Sequence, residues 1–298
     1  IYGKKALVVG ARRGVQSYVA LDITDRTKPL FLYQLPNMAS IGAGDVPTDP
    51  LSSLMGLSWS SPTYVRTHSD VKKDTTAPSA NKINNCILEY SKVTFSNKHS
   101  ERDDYSLILP GGYDDGYDML LPDEFTRIAR GAAIVGVNPL TGKPDSVFDN
   151  LNSNVSKLMR HSVLDVIAAD MNNDGLVDSL YFGDMGGKVF IALPYKMSVA
   201  SGGCTGAGGD RRTFTPQAEF EAFKLFETDF KSGRGFMYAP DVVVKGGEEL
   251  IFLGSGNREK PLDKDVQNRF YCIKNIAKGN LSLSDDDSFH LTDGALLD

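Results

Sequence analysis

The chain of 298 residues carries a net charge of −6, and 41% of its residues are hydrophobic and 23% charged. This length and composition suffice for a sizeable buried core, so one globular domain is the simplest interpretation. No apolar stretch approaches the roughly 20 residues of a membrane helix, and the negative charge disfavours phosphate-rich partners. We therefore expect no membrane insertion and no nucleic-acid binding by this domain. Because residue 1 is Ile, we also expect a piece of a longer polypeptide.

Short runs rich in Val, Ile, Leu, Tyr and Phe recur between clusters of Gly, Pro, Asn and Asp, so the sequence predicts a mostly β fold. The clear helical pattern lies at 216–226, where Phe220, Phe223 and either Leu225 or Phe226 have helical spacing. Strands are predicted at 5–9, 17–21, 30–33, 106–109, 131–138, 163–168, 179–182, 188–193, 241–244, 249–253 and 269–273.

The predicted strands form a degenerate repeat in which an apolar strand ends at a glycine and a second strand follows a loop. Units of this kind begin at Ala6, Leu107, Leu180 and Leu250, and a weaker unit lies at 57–67. Repeated small β units are typical of propeller blades, which take about 40–50 residues each. We therefore predict an all-β fold, a single irregular β-propeller over residues 1–298 with room for at most six or seven blades. Whether the propeller closes within this chain stays open.

Two segments are predicted to interrupt the repeat. Residues 68–104 are polar and indicate an exposed loop insertion, and residues 196–236 combine a glycine-rich stretch with the predicted short helix. The cysteines Cys86, Cys204 and Cys272 are widely spaced and form no CxxC pair, so at most one disulfide can form within the chain. Cys204 could pair with Cys86 or with a cysteine elsewhere, and three free thiols are the alternative.

The segment 170–178 places carboxylate or amide oxygens at its positions 1, 3, 5 and 9 and a glycine at position 6. A hard cation such as Ca²⁺ takes six to eight oxygen ligands, and alternate residues of a tightly wound loop can point inward to supply them. The apolar residue at position 7 is acceptable because only its main-chain carbonyl would contribute. We predict that one Ca²⁺ is bound by Asp170, Asn172, Asp174, Leu176 and Asp178.

The flanks of this metal loop read as strands, and position 12 is Tyr181 rather than the bidentate Glu of an EF-hand. The loop is therefore expected to join two strands and to respond to extracellular rather than cytosolic calcium. A hairpin turn rich in Asn and Asp that binds no metal is the alternative. Whether Asp184 completes the calcium shell is left open by the sequence.

The segment 165–190 (DVIAADMNNDGLVDSLYFGDMGGKVF) resembles the calcium-loop blade of the PilY/PilC family of type IV pilus proteins. In that family an acidic loop precedes a Y-x-G-D-x-x-G strand. The segment GARRGVQSYVALDITD from Gly10 is similar to the arginine-and-glycine strand pair of the family, and segments from Leu57, Gly111 and Leu253 match in order. Phe190 stands where the family commonly has Trp.

The resemblance implies a modified seven-bladed propeller with Ca²⁺ as its cofactor and no catalysis. It implies export to the bacterial cell surface, the outer membrane or the pilus tip, with minor or major pilins and host or surface ligands as partners. The implied roles are pilus extension and retraction, twitching motility and adhesion. In an oxidising location, Cys204 would be oxidised with Cys86 or Cys272.

Two other functions fit a calcium-binding propeller. The segment NPLTGKPDSVFD from Asn138 resembles the repeats of quinoprotein dehydrogenases, which also use Ca²⁺. In those enzymes, however, the metal touches the cofactor near the propeller axis, whereas this loop supplies its own ligands. A generic extracellular adhesion propeller should repeat the metal loop in several blades, and here it appears once.

Other polar clusters carry weaker signals. The acids of 111–118 (Asp114, Asp115 and Asp118) fit a solvated loop better than a second metal site. His161 is expected to be structural or at the surface. Arg12 and Arg13, between two strands, are expected to be solvated, with a basic contact surface as the alternative. The glycine-rich stretch 201–210 lacks the Lys-Ser/Thr ending of a phosphate loop.

Overall fold

The computed structural model describes residues 3–37, 49, 51–66, 105–149, 159–170, 175, 177, 179–204, 209–229, 232–245, 248–274 and 291–292. Nearly all the regular secondary structure of these residues is β-strand, as predicted. One short α-helix, α1 (Leu51–Leu54), and the 3-10 helices Asp115–Asp118 and Pro122–Glu124 lie between them. The insertion predicted at 68–104 lies outside the described residues.

The strands form four sheets in chain order. Sheet I contains β1 (Ala6–Gly10), β2 (Tyr18–Asp22) and β3 (Leu30–Leu35). Sheet II contains β4 (Thr63–Arg66), β5 (Tyr105–Pro110), β6 (Ala133–Val137) and β7 (Pro144–Asp149). Sheet III contains β8 (Ile167–Ala169), β9 (Ser179–Gly183), β10 (Lys188–Cys204), β11 (Gly209–Glu227) and β15 (Leu291–Thr292). Sheet IV contains β12 (Asp241–Lys245), β13 (Glu248–Gly254) and β14 (Phe270–Lys274).

All neighbouring strands are antiparallel except β11 and β15. Each of the four predicted units coincides with one sheet, so the repeat read from the sequence is confirmed. The weaker unit at 57–67 is not a separate blade, because its strand β4 pairs with β5 in register Thr63↔Ile108 and completes sheet II. The part of the chain that the structure describes thus accounts for four of the expected blades.

The helix predicted at 216–226 is wrong, since these residues belong to β11 and pair with β10. Phe226 pairs with Val189 and Phe223 with Ile191, while Leu225 is the extra residue of a bulge. Residues 189 and 191 of β10 are two apart and therefore lie on the same face of the sheet. Because of the bulge, their partners on β11, residues 226 and 223, are three apart and still lie on one face. Apolar spacing of three residues, which indicates a helix in isolation, here arises from a bulged strand.

The glycine-rich stretch predicted as a loop is also largely strand. β10 extends to Cys204 and pairs it with Gly209 at the start of β11, so the two strands form one long hairpin. Strands β7, β11 and β15 were not predicted, whereas every predicted strand is found, with shifts of a few residues at its ends except for β10, which extends well beyond the predicted end at 193. The glycines of this stretch permit an extended conformation as readily as a loop.

Consecutive sheets pack face to face. Tyr18 of sheet I and Leu109 of sheet II share one core cluster, and Ile134 of sheet II and Phe182 of sheet III share another. Sheets III and IV meet through the rings of Phe226 and Tyr271, whose centroids are 5.1 Å apart. Because β6 and β9 are buried on both faces, their sequences are continuous apolar runs rather than alternating ones.

Main-chain hydrogen bonds link the four sheets in chain order. The N–H of Arg12 donates to the carbonyl of Ser58 at 3.0 Å. Further along the chain, main-chain hydrogen bonds of the same kind join residues 57 to 113, 112 to 163, 185 to 162, 236 to 184 and 256 to 235. Three of these hydrogen bonds (12 to 58, 112 to 163 and 236 to 184) join a glycine-containing turn of one sheet to the segment that leads into the next sheet, and the other three join that segment to a turn of its own sheet. We call these turns (10–14, 111–113, 184–187 and 254–256) and segments (56–59, 161–163 and 235–237), together with Gly131, whose carbonyl accepts the N–H of Val163, the glycine belt.

Close approach of main chains explains the glycines of this belt. A Cβ on Gly131 would lie 1.9 Å from the carbonyl oxygen of Gly112, and a Cβ on Gly112 would lie 2.2 Å from that of Leu57. Both glycines also have positive φ values, of 78° and 97°. Both of these contacts lie within sheet II, whereas a Cβ on Gly10 would lie 2.6 Å from the carbonyl oxygen of Ser58, in the segment that leads from sheet I into sheet II. The predicted glycine at the end of an inner strand therefore has a steric cause at β1 and β5, which is the close approach of another main chain.

Candidate functional site

The predicted metal loop lies in an antiparallel hairpin. Strands β8 and β9 pair in register Ala169↔Ser179, so the loop 170–178 joins two neighbouring strands as expected. The carboxylate of Asp170 accepts a hydrogen bond from the N–H of Gly175 at 2.8 Å. Positions 1 and 6 of the loop are thereby close together, which is the compact winding that a loop of converging oxygens requires.

Gly175 has a φ of 83°, and a Cβ built there would meet nothing within 4 Å. The glycine is thus needed for its backbone conformation rather than for space, as the prediction of a sharp turn at position 6 supposed. At the far end of the loop, Val177 is buried and its N–H donates to the carbonyl of Arg66 at 2.9 Å. This bond attaches the hairpin to β4 of sheet II.

The remaining predicted ligands, Asn172, Asp174, Leu176 and Asp178, lie outside the described residues. Within the described residues there is no group of three acidic, histidine or cysteine side chains that could hold a metal. The donor set of the loop suits Ca²⁺, since Asp170 already turns its carboxylate into the loop, the side chains of Asn172, Asp174 and Asp178 carry oxygen, and Leu176 offers its main-chain carbonyl. The calcium assignment stays a prediction.

Asp184 does not belong to the metal loop. It follows β9, whose five residues extend about 17 Å, so it lies at the opposite end of that strand. Its Oδ1 accepts hydrogen bonds from the N–H groups of Gly186 and Lys188, at 3.0 and 2.8 Å. Its main-chain carbonyl accepts a hydrogen bond from the N–H of Phe236. The family-like Y-x-G-D segment therefore forms a turn of the glycine belt.

Asp184 is nevertheless an unusual carboxyl group. It is completely buried, and among the described residues its Oδ2 has no hydrogen-bond partner. Burial raises the pKa of Asp184 to about 7, although the amides of Gly186 and Lys188 act in the opposite direction. The carboxyl group therefore changes its charge near neutral pH.

The acids of 111–118 differ in their surroundings: Asp115 is exposed and Asp118 partly exposed, as in the expected solvated loop, whereas Asp114 is buried. Asp114 is 1% exposed. Its carboxylate accepts hydrogen bonds from both Nη atoms of Arg127, at 2.6 and 2.8 Å, and from the N–H groups of Gly116 and Arg130. Burial alone would raise the pKa of Asp114, but these hydrogen bonds outweigh it and lower the pKa. The neighbouring Asp115 is exposed, as a solvated loop residue would be.

Arg13 is exposed, as expected, but its side chain also makes ion pairs that the sequence did not indicate. Its Nη atoms bind both carboxylate oxygens of Asp118 at 2.6 and 2.7 Å, and its Nε donates to Glu259. The guanidinium lies 5.5 Å from the centroid of Tyr113, whose hydroxyl also donates to Asp118. The hydrogen bonds to Asp118 and Glu259 raise the pKa of Arg13. Arg13 thus joins sheets I, II and IV at the glycine belt.

No sequence signal pointed to this cluster. Arg13 is separated by 105 residues from Asp118 and by 246 residues from Glu259. The aromatic residues beside it, Trp59 and Tyr113, belong to segments that the sequence identified only as strands or turns. The family-like segment from Gly10 marked the arginines without indicating their partners.

His161 is structural, as expected. The ring is buried, and its Nδ1 shares a hydrogen bond of 3.0 Å with the hydroxyl of Tyr117. Burial lowers the pKa of His161 to about 4, so the ring is neutral at physiological pH. A neutral ring held by one tyrosine beside a packed glycine turn positions the chain rather than a substrate.

The thiol of Cys272 is free in this structure and lies on the exposed face of β14. Cys86 lies outside the described residues, so its pairing with Cys204 stays a prediction. Among the residues that the structure describes, none of the helices has the length and apolar character needed to cross a membrane.

Four face-packed antiparallel sheets joined in chain order by a glycine belt define a fold of the β-propeller class. The chain is similar in structure to the C-terminal domain of Pseudomonas aeruginosa PilY1, itself a β-propeller, with a TM-score of 0.55 and 16% identity. The alignment covers 97% of this chain and 49% of that structure, so the chain spans about half the length of the structure it matches. No protein-family model matches the chain, and no curated protein matches its sequence.

Proposed function

We propose that this chain is the calcium-binding propeller of a PilY-like protein of the type IV pilus, exported to the cell surface or the pilus tip. The observation that supports the proposal most is the structural likeness to the PilY1 C-terminal domain over 97% of the chain. The hairpin position of the acidic loop, between two paired strands, is the second support. The proposed role is to regulate pilus extension and retraction and surface adhesion, with pilins as partners.

Calcium would act on the charge balance of the hairpin. Asp170, Asp174 and Asp178 bring three carboxylates into nine residues, and like charges this close oppose a compact loop unless a cation neutralises them. Because a ligand shifts an equilibrium only by its differential affinity for two states, calcium would favour the compact hairpin. The carboxylate of Asp170, already bonded to the N–H of Gly175, would be part of that compact state.

The described contacts offer a route from the hairpin to the rest of the domain. Val177 attaches the hairpin to β4, and β9 runs from the hairpin directly to the turn of Asp184 in the glycine belt. A change in the hairpin would therefore act on the packing between sheets II and III. We propose that this coupling makes calcium occupancy a regulatory signal rather than a purely structural one.

The test is the replacement of the last predicted ligand. We expect Asp178→Ala to weaken calcium binding in isothermal titration calorimetry and to leave the domain folded, because the strands on both sides are held by sheet pairing. The matched control is Asp265→Ala, which removes an exposed carboxylate from another loop and should bind calcium normally. In Asp178→Lys, a fixed positive charge could offset the local negative charge and mimic the calcium-bound state.

Two outcomes would count against the proposal. Wild-type calcium affinity in Asp178→Ala would show that the ligand assignment is wrong. Loss of calcium binding with normal twitching and normal piliation in cells would show that calcium is structural only.

The quinoprotein alternative is tested separately. The turn after Asn138 has the predicted form, since Gly142 has a φ of 66° and its N–H donates to the carbonyl of Asn138 at 2.9 Å. A Thr-Gly turn alone is not a cofactor site, and we propose no enzymatic activity. Binding of pyrroloquinoline quinone in an absorbance titration with Ca²⁺ would favour the enzyme instead.

A further inference from the structure

Sheets II, III and IV share a plan that sheet I follows only in part. In each of the three, a belt segment is bonded to the belt turn of its own sheet, through residues 57 and 113, 162 and 185, and 235 and 256. The strand after each segment (β4, β8 or β12) pairs antiparallel with the strand that leads to the turn. We call β4, β8 and β12 the entry strands. Within the described residues, sheet I consists of β1, β2 and β3 and has no entry strand.

One edge of β1 is therefore open. On its other edge, β1 pairs with β2 over its whole length. The carbonyl of Lys5 accepts the N–H of Ile23, so the main chain of Lys5 is turned toward the strand that becomes β2. Because main-chain groups alternate in direction along an antiparallel strand, the N–H and carbonyl groups of Ala6 and Val8 are turned to the open edge. These groups are in position to bond one further strand.

The open edge of β1 carries none of the usual features that prevent strand pairing. Edge strands of soluble proteins are commonly blunted by charged residues, by proline or by a bulge. The sequence of β1 is ALVVG, and its register with β2 has no shift. Leu7 and Val9 are 44% and 48% exposed, whereas β5 and β9, which hold the corresponding places in sheets II and III, are buried almost throughout. An unprotected apolar strand of this kind indicates that another strand covers it.

Strand β4 of sheet II is uncovered on the side that faces sheet I. Val65 of β4 is 1% exposed, and Ala168 of the next entry strand, β8, packs against the same core cluster. Tyr64 points to the opposite face, since it pairs with Leu107, which belongs to the core shared with sheet I. Tyr64 is nevertheless 58% exposed. The face of β4 that an entry strand of sheet I would cover is thus open to solvent.

The open edge and the open face belong to one groove. The N–H groups of Ala11 and Arg12, just after β1, donate to the hydroxyl and the carbonyl of Ser58, just before β4, each at 3.0 Å. Farther along β4, the exposed ring of Tyr64 is stacked on Tyr105, with 5.3 Å between the ring centroids. The groove therefore starts at the belt, with the edge of β1 on one side and the Tyr64 ring on the other.

We propose that this groove holds an extended strand of the same polypeptide, from a segment that precedes β1, and that this strand completes sheet I. Chain order identifies the occupant, because each entry strand is followed in the chain by the strand with which it pairs. The known entry strands are short and mostly apolar, with the sequences TYVR, IAA and DVVVK. The added strand bonds Ala6 and Val8 with its main chain and covers Tyr64 with its side chains. This inference does not rest on calcium binding.

The test supplies the strand by fusion. The sequence APDVVVK of residues 239–245, which contains the entry strand β12, is placed directly before Ile1 of the intact chain. Residues 1–4 then connect the added strand to β1, a length common in β-hairpins. We expect the melting temperature to rise by at least about 3 °C. Hydrogen exchange at the amides of Ala6 and Val8 should slow at least about tenfold.

The matched control is the same fusion with Val242→Pro and Val243→Pro in the added copy alone. Since N–H groups alternate along a strand, one of these two positions must face β1, and proline removes its donor. We expect this control to melt and exchange like the unfused chain. As a second measurement that needs no fusion, the peptide APDVVVK at about 1 mM, the weak end of useful affinity, should slow exchange at the same two amides.

The source of the strand is tested in the natural polypeptide lengthened toward its N terminus, where both amides should exchange as slowly as in the fusion. Fast exchange there would overturn the assignment to the same polypeptide. No slowing at Ala6 and Val8 with either the fusion or the peptide, or equal effects of the proline control, would show that the groove takes no strand. A dimer of the unfused chain in analytical ultracentrifugation that the fusion dissociates would assign the groove to a second copy instead.

Discussion

Replacing Gly131 by Ala tests the glycine belt, because this residue lies where three segments meet. Its N–H donates to the carbonyl of Leu54, and its own carbonyl accepts the N–H of Val163. A Cβ at this position would lie 1.9 Å from the carbonyl oxygen of Gly112, far inside van der Waals contact. The obstacle is main chain on both sides, so no side-chain rotation can relieve it.

The expected destabilisation is the sum of three effects. Forcing a residue with a Cβ to a φ of 78° costs about 1–2 kcal/mol. Separating the crowded main chains costs about 1–3 kcal/mol, as in overpacked cores, and weakening one or two belt hydrogen bonds adds about 1 kcal/mol. We therefore expect Gly131→Ala to lower the free energy of unfolding by about 3–6 kcal/mol, a large part of the 5–15 kcal/mol typical of domains.

The assay is urea or thermal unfolding of Gly131→Ala beside Gly175→Ala, both measured in a calcium chelator. Gly175 has a similar φ of 83°, but a Cβ there meets nothing within 4 Å, so only the conformational cost of about 1–2 kcal/mol should appear. The difference between the two variants isolates the close contact between the main chains of Gly131 and Gly112. If both variants lose the same stability, the belt is not a tight contact and the reasoning fails.

Two further predictions concern buried carboxyl groups. Asp184 has a folded pKa raised to about 7, so its contribution to stability falls by at most about 4 kcal/mol as pH rises from about 4 to 7. His161, with a pKa lowered to about 4, has the opposite dependence between about 4 and 6.5 and partly cancels it. The stability of Asp184→Asn should therefore rise more steeply with pH than that of the wild type, and parallel pH profiles from chemical denaturation would contradict the assignment. Asp114→Ala should lower the free energy of unfolding by at least about 2 kcal/mol, because Arg127 and the N–H of Arg130 lose their hydrogen-bond partner. Asp115→Ala, which changes an exposed neighbour, should alter the free energy of unfolding by no more than about 0.5 kcal/mol. Equal effects of the two variants in unfolding experiments would refute a structural role for Asp114.

The glycine belt relates these predictions to each other. Gly131, Asp184 and Arg13 lie in different sheets, yet each acts on a junction between sheets rather than within one. Changes at the belt should therefore alter how the sheets pack on one another more than the strand pairing inside each sheet. The proposed calcium signal depends on these junctions.

The sequence by itself determined the features that rest on local periodicity and local turn chemistry. Apolar runs ending at glycine predicted the strands and assigned four of them to separate units, and these units are the four sheets. The position of Gly175 after Asp170, Asn172 and Asp174 predicted a compact turn between two strands, and the bond between Asp170 and Gly175 has that form. Such patterns lie within a few residues of each other, so they can be read without knowing the rest of the fold.

The tertiary structure alone decided the features that depend on distant partners. The bulge at Leu225 turned a helical spacing into a strand, because β10 supplied an edge that an isolated segment lacks. The unit at 57–67 became part of sheet II through pairing with β5. Arg13 pairs with Asp118 and Glu259, which lie 105 and 246 residues away in the sequence. Asp184 is separated from the metal loop by the length of β9. These contacts arise from how sheets stack, and stacking depends on long-range packing that no local pattern of residues encodes.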